Sequence, residues 1–495
     1  MNNLVMLGPI FLFLCLMLGV SLFIRYRRKK QASEGFVKEY FIGSRSLGGF
    51  VLAMTTVATY SSVSSFVGGP GQAWSVGFGW IYMSVVQVTA LFLVLGILGK
   101  KVAVVSRKIN GVTIMDVIRH RYQSDALASL SAVITIIFFC ATMVAQFVGG
   151  AKIFQAVTGY SYMTGLVLFG LIVVIYTTVG GFRGVAVTDA LCAIAMLAGM
   201  IILLFGVLNA GGGYTAIMDH ISEFKPEMLE PLSGGQMPYS LYISQWLLVG
   251  VFTIGLPQSV VRCMSYKDTK SLHRAILIGT IVIGAMNIGM NFIGVLSQGV
   301  LTEDISAYGN SVDNIMPMTI AASLKPVLAG LTIIGPIAAS ISTVSSLLLT
   351  ATSSLVKDIY MRQMEKRNKV LSEKKTAAYS QICTLVIGLI IFVISISPPD
   401  VIWKINMFAF GGLESAFVWI FLLGMFWRKA NRTGAILSMI GGTVSYCVTM
   451  ALGVKVMELH QIVIGIVVSL ILMILGSCLG KPTDTKVLEN YFPEQ

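Results

Sequence analysis

The chain is divided into long apolar runs, most of them about 20 residues long and nearly free of charge. A helix of about 20 residues crosses the roughly 30 Å hydrocarbon core of a bilayer. Inside that core every backbone polar group must pair within the structure, which favours helices. The composition is 56% hydrophobic and 12% charged, which excludes a water-soluble globule. We predict an all-α polytopic membrane protein with about 13 transmembrane helices, near residues 4–24, 48–75, 77–99, 126–158, 162–180, 186–208, 240–263, 275–299, 317–356, 377–396, 400–427, 434–453 and 459–479.

Charged residues between these runs predict the orientation of the chain. The first run has no basic residue before it and no cleavage pattern, and "RYRRKK", Arg25 to Lys30, follows it. We therefore predict an uncleaved helix, with the amino terminus outside the cell and the carboxyl terminus in the cytoplasm. The net charge of +13 reflects this bias and implies no nucleic-acid partner. Basic residues gather in alternate loops, at Lys100, Lys101, Arg107, Lys108, Lys267, Lys270, Arg274, Lys357, Arg362, Lys366, Arg367, Lys369, Lys374 and Lys375.

Two of the predicted spans contain residues that interrupt helices. The stretch "ATYSSVSSFVGGPG", Ala58 to Gly71, holds four serines followed by three glycines and a proline. The stretch "LVGVFTIGLPQSVVRC" holds two glycines and a proline within an apolar run, at Gly250, Gly255 and Pro257. Freed backbone groups are tolerated at membrane depth only where protein or a water-filled cavity satisfies them. Taken alone, the first cluster is also compatible with a kink or with close helix packing.

The two interruptions occupy matching places in the chain. Five predicted spans cover 48–208 and the next five cover 240–427, and because five is odd the two sets insert with opposite orientation. Inverted repeats with interrupted helices indicate a transporter whose site lies near the middle of the membrane. Half-helix amino ends suit an anion, and unwound carbonyl groups suit a cation. We expect an additional helix in 1–30, a first repeat in 46–209, an extracellular loop in 210–239, a second repeat in 240–428, two helices in 429–480 and a cytoplasmic tail in 481–495.

A cluster of hydroxyl groups in the span that begins near residue 317 is a candidate cation site. Ser342 and Thr343 are adjacent and Ala339 precedes them by one turn, so two hydroxyls and a carbonyl share one helical face. Serine and threonine also bond back to their own helix, and that alternative stays open. With the carbonyls of Ala58 and Ser61 at the first interruption, five neutral oxygens become available to sodium. The cysteines and histidines form no ligand pattern, and we expect no organic cofactor.

Three polar residues within the apolar runs are candidates for function, since such residues are costly in a membrane. Asp189 either lies on an ion path or extends from the cytoplasmic end of its span towards water. Glu414 either pairs with a neighbouring helix or lines a substrate cavity and couples to protons. Gln146 either links two helices or contacts substrate.

Several motifs in one order resemble the sodium:solute symporter family over nearly the whole chain. They are "EYFIGSRSLGGFVLAMT", "SSFVGGPG", "LGILGKK", "QFVGGAK", "GLPQSVVRCMSYKD", "AFGGLESAFVW" and "GMFWRKAN". The resemblance implies a LeuT-type fold, with one extra helix before a ten-helix core and two after it, in a bacterial plasma membrane. It also implies an inward ion path at Asp189. The sodium ligands that it implies are the carbonyls of Ala58, Ser61 and Ala339 and the hydroxyls of Ser342 and Thr343.

The same resemblance implies a set of substrate-facing residues. Family members that carry amino acids or sugars have aromatic or charged side chains at several of these positions, and proline carriers have an aspartate where this chain has Tyr60. These departures favour a hydroxylated, flexible acid. We therefore expect a sodium-coupled symporter for a small organic acid and not an enzyme, with proline or another monocarboxylate as the alternative solute and a sensor or channel as the alternative class. The predicted substrate set is Ser62, Ser64, Ser65, Thr142, Gln146, Val249, Thr253, Gln258 and Glu414.

Overall fold

The computed structural model describes residues 3–31, 41–369, 371–398 and 400–492 as a helical protein. Glu39 and Tyr40, which open the first family motif, lie outside the described residues, as do residues 493–495 of the predicted tail and the side chains of Arg25 and of residues 27–30. The helices, numbered in chain order, are α1 Asn3–Gln31, α2 Gly49–Tyr60, α3 Ser64–Val76, α4 Phe78–Lys108, α5 Ile114–Tyr122, α6 Asp125–Thr158, α7 Tyr162–Ala210, α8 Tyr214–Phe224, α9 Tyr239–Gly255, α10 Pro257–Cys263, α11 Thr269–Leu296, α12 Ile315–Ser323, α13 Pro326–Lys366, α14 Glu373–Ser395, α15 Ile402–Phe426, α16 Arg432–Ala451, α17 Ile462–Leu479 and α18 Thr485–Tyr491.

Most of these helices are long and apolar enough to cross a membrane. Within the described ranges, ten helices meet this test singly, and two bent pairs, α2 with α3 and α9 with α10, raise the number to 12. The segment α7 is two helices joined at Gly181, whose φ of 61° is not helical: its second part, Gly184–Ala210, is among the ten, and its first part, Tyr162–Thr178, is apolar but shorter. The prediction of an all-helical polytopic membrane protein is therefore confirmed. The count of 13 and the repeat layout stay predictions.

Side chains at the helix ends explain where several spans begin. Ser124 accepts a hydrogen bond from the N–H of Leu127 at 3.1 Å, at the start of α6. Asp268 accepts one from Ser271 N at 2.8 Å before α11, and Asn431 one from Gly434 N at 3.1 Å before α16. These oxygens satisfy N–H groups that have no partner within the first turn of a helix. Short polar residues between apolar runs therefore set the starts of the spans.

The predicted span 317–356 has different boundaries in the structure. The chain leaves α12 after Ser323, turns at Leu324 and Lys325, and begins α13 at Pro326. Proline is well accommodated in the first turn of a helix, where its missing N–H would have no partner. The apolar run is thus a short helix followed by a long one. Apolar residues lie on both sides of the turn, and Lys325 followed by Pro326 was the sequence signal for it.

Two helices run through the centre of the molecule and position the site. Of the residues in the most apolar 18-residue stretch of each helix, 83% are buried in α13 and 78% in α15, but only 22% in α1. The long helix α13 packs against α7, α6 and α1, and α15 packs against α6 and the end of α9. The pair α16 and α17 packs together beside α15. Both interrupted helices therefore meet the most buried part of the fold.

Candidate functional site at the two interrupted helices

The first interruption lies at Ser61 and Ser62, where α2 ends and α3 begins at an angle of 66°. Ser61 has an extended backbone, so the helical hydrogen-bond ladder stops there. The hydroxyl of Ser62 accepts from Ser64 N at 3.2 Å, and Gln146 Oε1 on α6 accepts from Val63 N at 2.9 Å. Polar side chains thus replace carbonyl partners that the interruption removes, as backbone at membrane depth requires. Gln146 therefore links α6 to the start of α3, as one of its two predicted roles, that of linking two helices, requires.

The glycine and proline cluster Gly68–Gly71 does not itself form the interruption. Residues 64–68 are π-helical, and α-helix continues from Gly69 to Val76. The glycines allow close packing instead: a Cβ on Gly68 would lie 3.3 Å from Trp403 N, and one on Gly69 would lie 3.1 Å from Asn291 Oδ1. The break predicted in this span is present, but it begins at Ser61. For the cluster itself, the packing alternative agrees with the structure.

The second interruption lies at Leu256, between α9 and α10, with a bend of 45°. Pro257 begins α10 and has no N–H to donate, so it removes one hydrogen bond of the helical ladder at the break. Before the break the helix is already irregular, with a π-helical stretch at Leu247–Val251 and a 3-10 turn at Phe252–Gly255. The second break is therefore located where the sequence predicts it.

Tyr60 connects the two interruptions. It is the last residue of α2, and its hydroxyl donates a short hydrogen bond to the carbonyl of Val249 in the π-helical part of α9. Val249 lies in the π-helical stretch Leu247–Val251, where the hydrogen-bond pattern departs from that of an α-helix. Tyr60 thus joins both broken helices.

The predicted sodium ligands lie where α2 and α13 meet. The hydroxyl of Ser342 donates to Ala58 O at 3.0 Å and lies 3.1 Å from Ala339 O. The hydroxyl of Thr343 is buried and has no hydrogen-bond partner among the residues that the structure describes. The structure therefore brings Ala58, Ala339 and Ser342 together, places Thr343 next to them in sequence with a free oxygen, and has Ser61 at the adjoining break. Ion binding by this set stays a prediction.

Asp189 forms a buried polar network with residues from three other helices. Its Oδ2 accepts from Thr55 Oγ1 at 2.7 Å and from Ser346 Oγ at 3.3 Å, and Arg262 Nη2 lies 3.5 Å away. Arg262 also donates to Ser346 Oγ at 2.8 Å and, by a short bond, to Thr59 Oγ1. Asp189 is 0% exposed, which contradicts the alternative of a side chain extended towards water.

Arg262 is a central residue that the sequence interpretation missed. It lies within the stretch "GLPQSVVRC", five residues after Pro257, which predicted the break. An arginine in an apolar run is itself a strong indication of a buried partner, because a lone charge is costly in a membrane. The arginine connects α10 with α2, α7 and α13 and gives Asp189 its counter-charge.

Other predicted substrate contacts differ in how available their polar atoms are. The hydroxyls of Thr142 and Thr253 donate to carbonyls of their own helices, at Phe138 and Gly250, over 3.1 and 2.6 Å. By contrast, buried polar atoms without a partner in the described part of the chain belong to Ser64 Oγ, Gln146 Nε2 and Gln258 Oε1. Ser65 is half-buried. Free atoms of this kind are available to a solute, whereas the two threonines first have to exchange a bond within their own helix.

Glu414 is the least satisfied polar residue in this region. It is 0% exposed, and neither carboxyl oxygen has a hydrogen-bond partner among the described residues. Tyr60 and Tyr446 are close enough to interact with it electrostatically. The structural alternative, a pair with a neighbouring helix, has no partner in the described part of the chain.

Asn287 and Asn291 on α11 were also missed by the sequence interpretation. Both are buried one turn apart, and Asn291 Nδ2 donates to Asn287 O at 2.7 Å. Neither side-chain polar atom of Asn287 has a partner, nor does Asn291 Oδ1, which faces Gly69. Two asparagines at helical spacing in an apolar run were the available signal.

Comparison with known proteins agrees with this geometry. The model of the sodium:solute symporter family matches residues 40–442. The chain is 40% identical to a sodium/pantothenate symporter of Haemophilus influenzae, over 97% of both chains, and 37% identical to one of Escherichia coli, over 95% of this chain and 96% of that protein. The osmoregulated proline transporter OpuE of Bacillus subtilis is 27% identical over 90% of both chains.

A solved structure shows the fold. A Na⁺-coupled sialic acid symporter in a substrate-bound outward-open state matches with a TM-score of 0.80, at 18% identity, over 97% of this chain and 98% of that one. The fold is therefore of the LeuT type, as the resemblance implies. Together with the family match, these findings establish a multi-pass, sodium-coupled solute transporter: the chain belongs to the sodium:solute symporter family.

Proposed function

We propose that this transporter imports pantothenate together with sodium by alternating access. The observation that carries the proposal is the similarity of 40% and 37%, over nearly the whole chain, to two proteins named sodium/pantothenate symporter. Identity to the proline transporter is lower, at 27%. Tyr60, bonded to Val249 at the break, also distinguishes this chain from the proline carriers that resemble it.

Sodium, as a transported ion, is proposed to bind between α2 and α13. The ligands are the carbonyls of Ala58, Ser61 and Ala339 and the hydroxyls of Ser342 and Thr343. Support comes from the short Ser342 contacts to two of these carbonyls and from the buried, unpartnered hydroxyl of Thr343. Hard cations prefer oxygen ligands, and neutral oxygens hold sodium loosely enough to release it.

The acid is proposed to bind beside the two breaks. The amino end of α3 carries partial positive charge, which suits a carboxylate. The carboxylate would exchange for the bonds that Gln146 and Ser62 now make to Val63 N and Ser64 N. Free polar atoms at Ser64, Gln146 and Gln258 suit the hydroxyl and amide groups of pantothenate. The remaining proposed contacts are Ser62, Ser65, Thr142, Val249, Thr253 and Glu414. Asp189 and its network form the proposed inward path of the ion.

Import follows from the proposed orientation, with the amino terminus outside, the carboxyl terminus in the cytoplasm and the chain in a bacterial inner membrane. The proposed repeats, 46–209 and 240–428, move against each other around the site. One sodium ion moving inward down the membrane potential supplies about 2.3 kcal/mol per 100 mV. For one monoanion and one sodium ion these voltage contributions cancel, so the sodium gradient drives uptake.

The test is uptake of labelled pantothenate, its two halves β-alanine and pantoate, and proline into proteoliposomes, with sodium or choline outside. We expect sodium-dependent uptake of pantothenate and little uptake of the other three. Uptake of proline instead would contradict the proposed solute, and equal uptake in choline would contradict sodium coupling. Exchange of external label for internal unlabelled pantothenate distinguishes a carrier from a channel, because a channel does not drive counterflow.

A further inference from the structure

The surroundings of Glu414 lack any group that could balance a negative charge. In the described part of the chain it forms no ion pair, and both oxygens lack hydrogen-bond partners. The ionisable groups that face it are Tyr60 from α2 and Tyr446 from α16. Both hydroxyls are already engaged, that of Tyr60 with Val249 O and that of Tyr446 with Met407 O at 3.3 Å. No charged group from the other helices that pack on α15 reaches it.

Glu414 also lies beside the proposed solute site. Its helix α15 packs against residues 64–68 and 252–255, which flank the two breaks. One turn after Glu414, Val418 packs so closely that a Cβ on Gly255 would lie 2.9 Å from its N atom. Tyr60, which faces the carboxyl, is the last residue before the first break. A change of charge on Glu414 is therefore felt where the cargo binds.

The charges of the proposed cargo do not balance with an ionised Glu414. One sodium ion and one acid anion cancel, and Asp189 is paired with Arg262. An ionised Glu414 would leave a net charge of minus one in a site closed from water, where an unpaired charge is strongly disfavoured. A proton on the carboxyl brings the total to zero and provides an O–H donor for the solute.

We propose that Glu414 is a proton-binding site of the transport cycle, and that its carboxyl takes up a proton from water when sodium and the acid bind. This inference rests on the proposed import of an acid anion. We take the buried carboxyl of this structure, which has no partner among the described residues, to be the protonated form, and the cycle requires it to ionise when the empty site opens to water. When the loaded site closes, the proton neutralises the carboxyl, and after the acid leaves, the proton is released on the inner side. Each cycle then carries one proton inward besides the sodium ion and the acid, so the membrane potential also contributes to uptake.

Proton uptake on binding is the measured quantity. Purified protein in weak buffer with a pH indicator receives pantothenate in the presence of sodium, between pH 6 and 8. We expect uptake of about one proton per bound acid, and by linkage a fall in affinity of up to about tenfold for each unit of rising pH. Glu414→Gln should bind the acid with pH-independent affinity and take up no proton. The exposed Glu223→Gln on α8 is the matched control and should behave as the unaltered protein.

A second ligand makes the test independent of any variant. The alcohol analogue of pantothenate carries no charge, so sodium and an ionised Glu414 already balance, and its binding should take up no proton. No proton uptake with the acid, or equal uptake with the acid and the alcohol, would overturn the proposal. Absence of sodium-dependent acid binding would instead contradict the proposed function. Glu414→Asp, which keeps a carboxyl, should retain proton uptake if the glutamine variant does not fold.

Discussion

Two buried carboxyl groups lie near the interrupted helices, and the fold surrounds them in different ways. Asp189 accepts hydrogen bonds from Thr55 and Ser346 and faces Arg262 at 3.5 Å. Glu414 is equally buried, yet neither of its oxygens has a partner in the described residues. Partners offset the cost of burying a charge, whereas a lone buried charge stays unfavourable. Asp189 is thus part of the packed structure, while Glu414 remains free to respond to what enters the site.

The largest expected effect follows from removing the partner of Asp189. Arg262→Gln leaves the carboxylate buried without its counter-charge, and we expect a loss of about 3–5 kcal/mol in the free energy of unfolding. Thermal unfolding in detergent measures it. The double variant Arg262→Gln with Asp189→Asn removes both charges and should recover most of the loss. Glu414→Gln should change the free energy of unfolding little, because no partner is left without its bond. A loss as large as that of Arg262→Gln would show that the two carboxyl groups do not differ in this way.

The next effect concerns the neutral oxygens that lie near both carboxyls. Thr343→Ala removes one proposed ligand, and we expect the half-saturating sodium concentration to rise about tenfold, equivalent to about 1.4 kcal/mol. Sodium-dependent uptake measures it. Thr332→Ala is the matched control, because Thr332 lies on the same helix with a buried hydroxyl that also lacks a partner. The proposed site would be contradicted if Thr343→Ala left the half-saturating sodium concentration unchanged while Asp189→Asn or Glu414→Gln raised it. That result would assign sodium binding to a carboxylate.

The sequence predicted the helical membrane class and both interruptions because length, apolarity and proline act locally. Pro257 has no N–H to donate and follows two glycines within one apolar run, and this combination located the second break. A proline alone would not have done so, because Pro336 lies inside the continuous helix α13. The first break could be expected in its span but not at Ser61, because Gly68 to Gly71 serve packing against Trp403 and Asn291, which lie more than 200 residues away. Glycine has the same signature in both roles.

The hydrogen-bond and ion-pair partners of the buried polar residues were harder to predict than the positions of those residues in the helices. Asp189, Glu414 and Gln146 were each recognised as unusual, but whether each has a partner depends on residues from other helices. Arg262, 73 residues after Asp189, supplies the counter-charge for one carboxyl, and nothing in the described chain supplies it for the other. A single sequence does not encode such distances in any local pattern. The distinction between a paired and a lone carboxyl therefore required the fold.

An effect of similar size is expected at Gln146, where one side chain has both a paired and an unpaired polar atom. Gln146 has one satisfied atom, Oε1, which accepts from Val63 N, and one free atom, Nε2. Gln146→Met keeps the length but leaves Val63 N without an acceptor, so we expect a loss of about 1–3 kcal/mol in unfolding free energy and reduced uptake. Thr135→Val, at a buried and unpartnered hydroxyl on the same helix, is the control and should retain both. Equal stability of the two variants would mean that water replaces the amide at the break.

The smallest effect is expected at a third carboxyl, outside the membrane spans. Burial alone would raise the pKa of Asp116, but the Lys357 ammonium and the N–H groups of Val112 and Thr113 outweigh it, so the pKa lies below its usual value. A lowered pKa means that the pairing stabilises the fold above pH about 4 and is lost as the pH falls further. Asp116→Asn should therefore cost about 1 kcal/mol at pH 7 and progressively less as the pH falls below about 4. Glu365→Gln, at a more exposed pair with Arg362, should change less. If the loss in unfolding free energy of Asp116→Asn did not depend on pH, the effect would come from packing and not from the ion pair with Lys357. Ion pairing would then contribute to stability only within the membrane, where water is excluded.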